Sequence, residues 1–270
     1  MRYIARRLHA GLLGLMLFAF GASDARAEEK IDLELVLAVD ISLSMDQDEQ
    51  RLQRNGYISA FRHPDIIAAI KSGGYGRIAV SYIEWAGVDN HRVIVPWTFI
   101  DSAETANKFA SKLETEDINS ARRTSISSGL LYASKLFENN GYEGIRRVVD
   151  VSGDGPNNMG PAVHETRDLL ISKGIVINGL PVTLKANDPA GFYDVRMLEF
   201  YYEDCVIGGF GSFLVAVRDR KEFAIAIRRK LILEIAGARP RIILTQTQVK
   251  PPREKTDCLI GEKIWDIGWD

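Results

Sequence analysis

Short apolar runs alternate with stretches of helical periodicity along most of this chain, and that alternation constrains the fold more than any other feature. Residues 33–39 (LELVLAV), 78–87 (IAVSYIEWAG), 91–100 (HRVIVPWTFI), 145–151, 175–182 (IVINGLPV) and 212–217 (SFLVAV) read as strands. The first has almost no polar alternation, as in a strand buried on both faces. Between these runs lie helix-patterned segments. Residues 46–71 read as a helix, with Tyr57, Ile58, Phe61, Ile66, Ile67 and Ile70 at roughly helical spacing and an acidic first turn, in which Pro64 must start a new segment or kink the helix. Further helices are expected over 103–116, capped by Ser102, over a segment ending at Asn140-Gly141, over 161–174 and over 219–236. Asp89-Asn90 marks a turn, so 78–87 and 91–100 should pair as a hairpin. The expected architecture is α/β: a doubly wound, mostly parallel sheet with helices on both faces and one antiparallel edge strand. Residues 183–212 mix turn signals with a short helix near 194–204, and 241–249 are strand-like.

The first 27 residues have a different character. Arg2, Arg6 and Arg7 precede a run of apolar or small residues at 10–22, and Ala25-Arg26-Ala27 suits a cleavage site. This pattern predicts a secretory signal peptide, a chain that starts at Glu28 after processing, and a periplasmic or secreted bacterial protein. The apolar run falls short of the roughly 20 residues of a membrane span, and no later stretch reaches that length. Removing the signal takes the net charge from −2 to −5. That mild acidity argues against a nucleic-acid binder, which needs a basic stripe. Cys205 and Cys258 are the only cysteines. An oxidising compartment favours a disulfide over two separate buried thiols, and neither C-x-x-C nor a metal spacing is present.

Three strand-to-loop exits carry hard oxygen donors: Asp40-x-Ser42-x-Ser44, then Thr124 in RRTSISSG, then Asp154 in VSGDGPNN. Carboxylate and hydroxyl oxygens are ligands of hard divalent cations. Spacing of two along an extended segment aims 40, 42 and 44 to one side. Two carboxylates with neutral hydroxyls suit Mg2+, which keeps waters; Mn2+ can substitute, and Ca2+, which wants more oxygens, ranks third. In open α/β sheets ligands sit at the carboxyl ends of strands, where these loops lie.

These five residues, in this order and on these elements, resemble the metal-ion-dependent adhesion site of von Willebrand factor type A (vWA) domains, and the likeness covers roughly residues 32–236. More narrowly, the chain resembles an uncharacterised family of exported bacterial vWA-like proteins. The resemblance implies a Rossmann-like fold. It implies direct coordination by Ser42 and Ser44, direct or water-mediated coordination by Thr124, and charge from Asp40 and Asp154. It also implies that a partner's Asp or Glu completes the shell. One departure stands out: Gly153 precedes Asp154 where many members carry Thr or Ser.

The resulting expectation is a signal peptide at 1–27, a vWA-like domain at 28–236 and a C-terminal extension at 237–270 packing on the domain. The first functional expectation is a non-enzymatic module that binds an acidic residue of an unidentified envelope or extracellular protein. A metal-assisted hydrolase is the alternative, with only His164 or Asp46 nearby as a base. An envelope assembly component with a vestigial metal site is the third reading. His63, His91 and His164 show no ligand spacing. Gly208-Gly209-x-Gly211 lacks the lysine of a phosphate loop and reads as a flexible rim loop. Trp265 and Trp269 are expected to cover an apolar patch, ahead of a partner-docking role.

Overall fold

The structure is a computed structural model that describes residues 28–184, 195–237 and 253–267. The signal segment, the strand-like 241–249 and Trp269 lie outside the described residues. Five strands form one sheet in the order β3-β2-β1-β4-β5. They are β1 (Glu29–Asp40), β2 (Ile78–Trp85), β3 (His91–Ile100), β4 (Tyr142–Gly153) and β5 (Ile175–Pro181). β1 runs parallel to β2 and β4, and β4 runs parallel to β5. β3 pairs antiparallel to β2 and makes the edge, as the hairpin pattern predicts.

β1 is central and buried from Ile31 to Asp40, which is why its sequence is apolar at consecutive positions. Leu33, Leu35, Leu37 and Val39 enter one core with Tyr57, Phe61, Phe109, Phe223 and Leu231. Those side chains come from α1 (Gln47–Phe61), α3 (Ala103–Thr115) and α7 (Phe223–Ala236), with α2 (Pro64–Lys71) on the same side. Val36 and Ala38 point the other way, towards Ile126, Leu130, Leu170, Tyr201 and Tyr202. These belong to α4 (Ile126–Lys135), α5 (Val163–Ser172), α6 (Val195–Tyr201) and the π-helical turn Tyr202–Val206 that follows it. The period-two alternation of a strand thus feeds two cores from one apolar run.

The expected helix at 46–71 is two helices, since Pro64 opens α2 and the His63 side chain caps it. α4 is shorter than its sequence pattern, ending at Lys135. Asn139 and Gly141 beyond it adopt left-handed backbone. Residues 212–217 are not a laddered strand. They follow β5 through isolated parallel bridges, Gly179 with Leu214 and Val182 with Val217. The Gly179 N–H donates to the Phe213 carbonyl, the Val215 N–H to the Gly179 carbonyl and the Val217 N–H to the Pro181 carbonyl, all in one register, and the rung between the two bridges is missing because Pro181 has no N–H to donate.

Cys205 and Cys258 are disulfide-bonded. A short helix, α8 (Ile260–Ile267), follows the second cysteine. Among the described residues no helix is long and apolar enough to cross a membrane.

Candidate metal centre

The carboxyl ends of β1 and β4 place the first and third donor loops side by side. β1 stops at Asp40, and Met45, 1% exposed, anchors the loop in the core. Asp46 then caps α1, accepting the Glu49 N–H at 2.8 Å while Glu49 accepts the Asp46 N–H at 3.0 Å. This capping box fixes where the loop ends, so the acidic residue after Ser44 is accounted for by the helix start. The second loop is not the strand exit expected but leaves α3 and enters α4, and it runs alongside the first: the Ala121 N–H donates to the Ile41 carbonyl at 2.9 Å.

Four of the five predicted residues meet through hydrogen bonds. The Ser42 N–H donates to Asp40 Oδ1 at 2.7 Å. The hydroxyls of Ser42 and Ser44 lie 2.9 Å apart, and Ser44 donates to Asp154 Oδ1 at 2.6 Å. Loops separated by 110 residues in sequence are thereby joined at one point. The fifth, Thr124, is buried and is joined by its backbone: its N–H donates to Asn158 Oδ1 at 3.0 Å and its carbonyl accepts the Asn158 N–H at 2.9 Å. The set runs from a closed floor to an open rim. Asp40, Ser42 and Thr124 are buried, Asp154 is half-buried and Ser44 is exposed. Leu43, between the two serines, is 61% exposed and projects from the same rim.

Asp40 is the electrostatic centre. Its Oδ2 is buried with no hydrogen-bond partner. Burial, then the nearby Asp154 carboxylate, push its pKa up to about 8 against the pull of the Ser42 hydrogen bonds. Burial and the same two carboxylates raise the Tyr202 phenol well above its ordinary value. Gly153 explains its own departure from the family pattern. A Cβ there would come within 2.9 Å of both Asp40 Oδ2 and the Tyr202 hydroxyl, so only glycine fits the floor. These features fit a hard divalent cation: an orphaned carboxylate oxygen, a second carboxylate that repels it, and hydroxyls between them. Among the described residues no group of three or more His, Cys, Asp or Glu is placed to hold a metal ion, so any cation here would depend on the hydroxyls as well.

Sequence reasoning missed the residues that hold the loops. Asn157 is fully buried. Its Oδ1 accepts the Ser127 N–H at 3.0 Å, and its Nδ2 donates to the Met159 carbonyl at 3.0 Å and to Glu262 Oε1 at 2.7 Å. Its own N–H donates to the Tyr201 hydroxyl at 3.1 Å. The Asn157-Asn158 pair read only as turn formers. Gln53 on α1 donates to Ser152 at 2.6 Å, which ties α1 to the end of β4. His91 stacks on Tyr132 at 5.1 Å between centroids, and His63 caps α2, so neither is among the donors. Trp265 lies over the Arg123 guanidinium at 3.8 Å, a cation–π contact where an apolar patch was expected.

Comparison with known proteins adds a family and a fold. A family model described as "Protein of unknown function (DUF1194)" matches residues 30–239. No curated protein matches the chain. Solved structures of similar fold include the pilus adhesin SpaC from Lactobacillus rhamnosus GG in its open conformation. It shows 12% identity and a TM-score of 0.56, over 77% of this chain and 31% of that one. Proximal thread matrix protein 1 from the mussel byssus shows 15% identity and a TM-score of 0.53, over 78% and 49%. A von Willebrand factor type A protein from Catenulispora acidiphila shows 12% identity and a TM-score of 0.51, over 76% and 43%. The chain thus spans between about a third and a half of the length of these structures. At these identities the likeness is one of fold, and that fold is vWA-like.

Proposed function

This chain belongs to the DUF1194 family, and from that premise we propose that it is an exported, non-enzymatic module that binds an acidic side chain of an envelope or extracellular protein through a divalent cation. In this reading residues 1–27 direct export, 28–236 form the binding domain and 237–270 extend it. Asp40, Ser42, Ser44, Thr124 and Asp154 hold the cation, with Mg2+ preferred over Mn2+ and Ca2+. A bound Mg2+ supplies a Lewis-acidic position at which a partner's carboxylate is captured.

The observation that carries the reading is the hydrogen-bonded chain Ser42–Ser44–Asp154 above the orphaned oxygen of Asp40. The chain's own residues do the preparatory work. Asp40 and Asp154 are held close enough to repel, so a cation between their loops removes an unfavourable interaction already built into the fold. Tyr202 and the bare Gly153 close the floor against water. Ser44, Asp154 and the exposed Leu43 leave the outer side open to a partner. The disulfide supports an oxidising destination. The vWA-like neighbours that are an adhesin and a thread matrix protein support a role in contact between macromolecules.

Titration calorimetry with MgCl2 on the wild-type chain and on Asp40→Ala tests the proposal. The wild type should bind and the variant should not, with the same far-UV circular dichroism for both. Equal heats from the two proteins would overturn it. A pull-down from envelope extract with and without chelator would then identify the partner by what the chelator releases.

A further inference from the structure

The C-terminal segment reaches the metal loops from outside the sheet. Its near end is fastened to the turn after α6. Cys258 is bonded to the fully buried Cys205, the Thr256 N–H donates to Asp204 at 2.8 Å, and Arg253 pairs with Asp204 and Glu203. The Arg253 guanidinium also lies over Phe200 at 4.2 Å. From that anchor α8 crosses to two of the three donor loops. Glu262 accepts from Asn157 Nδ2 at 2.7 Å, three residues beyond Asp154. A Cβ at Gly261 would collide with the Asn157 carbonyl, so helix and loop backbones are in direct contact. Trp265 covers Arg123, the residue before Thr124. Arg123 has a φ of 73°, a left-handed conformation that crowds the Cβ of any residue but glycine. Loop 2 therefore enters the site through a strained residue whose side chain is held by α8.

We infer that α8 is a disulfide-tethered strap, and that Glu262 and Trp265 are positioning residues which set the cation affinity of the site by fixing the Thr124 and Asp154 loops. The inference rests on the proposed function of that site. Asn157 is the link. Its amide oxygen holds the start of α4 through Ser127, and its amide nitrogen is held by Glu262, so one side chain couples the strap to both loops. Residues that orient a metal site from behind its donors commonly change affinity by about 10- to 100-fold when removed. The two contacts are independent. Glu262 acts on loop 3 by a hydrogen bond, and Trp265 acts on loop 2 by stacking.

The test is Mg2+ titration calorimetry on the full oxidised chain as wild type, Glu262→Ala, Glu262→Gln, Trp265→Ala and the Cys205→Ser/Cys258→Ser pair. The first, third and fourth variants should each bind Mg2+ about tenfold more weakly or worse. Glu262→Gln keeps the oxygen that accepts from Asn157 and should bind as the wild type does. That rescue is a result that loss of bulk packing would not give. If the cysteine pair does not fold, Glu262→Ala and Trp265→Ala decide, since both keep the disulfide. Wild-type affinity in those two variants overturns the strap while leaving the metal site standing. Tighter binding also overturns it, because α8 would then cover the loops instead of positioning them. No Mg2+ binding by the wild type would overturn the functional reading and this one with it.

Discussion

Lys230 sits on α7 under the sheet, 1% exposed, with its Nζ 2.6 Å from Asp150 Oδ1 and in contact with Glu234 one turn further on. Replacing it by methionine keeps most of the volume and removes the charge. Burial, then the Asp150 charge, raise Glu234 to about 8 from its ordinary 4.5, so at pH 7 it is mostly protonated already. Burial also raises Asp150 from 3.8 against the pull of Lys230, and Asp150 is the carboxylate that balances the ammonium. Without Lys230 the folded chain must take up a proton at Asp150. Holding a group of ordinary pKa 3.8 neutral costs about 1.4 kcal/mol per pH unit above that value, so the deficit is at most about 4 kcal/mol at pH 7 and about 2 at pH 5, the wild type already bearing the part that its own raised Asp150 represents. The first figure lies within the roughly 3–5 kcal/mol typical of breaking a buried pair. The sign follows from the direction of the shift. A carboxyl whose folded pKa is raised contributes its stability below the unfolded value and loses it as pH rises towards the folded one. Lys230→Met raises Asp150 further, so the deficit against wild type should widen from pH 5 to pH 7. Urea denaturation at the two pH values measures it. A loss that is the same at both, or below about 1 kcal/mol at pH 7, would refute the reasoning.

Other outcomes follow from single contacts. Gly153→Ala should destabilise by about 1–3 kcal/mol in urea, because its Cβ would press on Asp40 Oδ2 and the Tyr202 hydroxyl; an unchanged midpoint would mean the floor has room. Asp46→Ala removes the α1 cap and should lower stability by about 1 kcal/mol, whereas Asp46→Asn should restore most of it. Ser44→Ala should leave the thermal midpoint within a degree or two, since Ser44 is exposed, yet weaken Mg2+ binding measured by calorimetry. Arg54→Met leaves Glu84 buried and loses the bonds to the 116 and 117 carbonyls; it should cost about 3–5 kcal/mol by urea titration.

Much of the candidate site was legible because the first and third donor loops each follow a strand whose apolar run is unambiguous, whereas the Thr124 loop follows α3. Asp40 ends β1, and Asp154 directly follows β4. The DxSxS spacing could therefore be assigned to a strand exit before any contact was known. The residues that bind the loops to one another were not legible. Asn157 looks like any turn asparagine, and its partners Ser127, Tyr201 and Glu262 are 30, 44 and 105 residues away. Gly153 looked like a departure from a family pattern until the Tyr202 hydroxyl and Asp40 Oδ2 were seen to fill the space beside it. The break in the ladder between β5 and 212–217 is different in kind, since it falls at Pro181, whose missing N–H is plain in the sequence.

The sequence by itself determined the layered α/β architecture, the hairpin edge and the three loops that carry oxygen donors. These depend on periodicity and on turn residues, which act over a few positions. Only the tertiary structure decided that Ser44 reaches Asp154, that Asp40 is left with an unpaired oxygen, and that α8 crosses from its disulfide to the loops. Those outcomes depend on which distant surfaces meet when the sheet closes over its two cores, and local propensity carries no record of that.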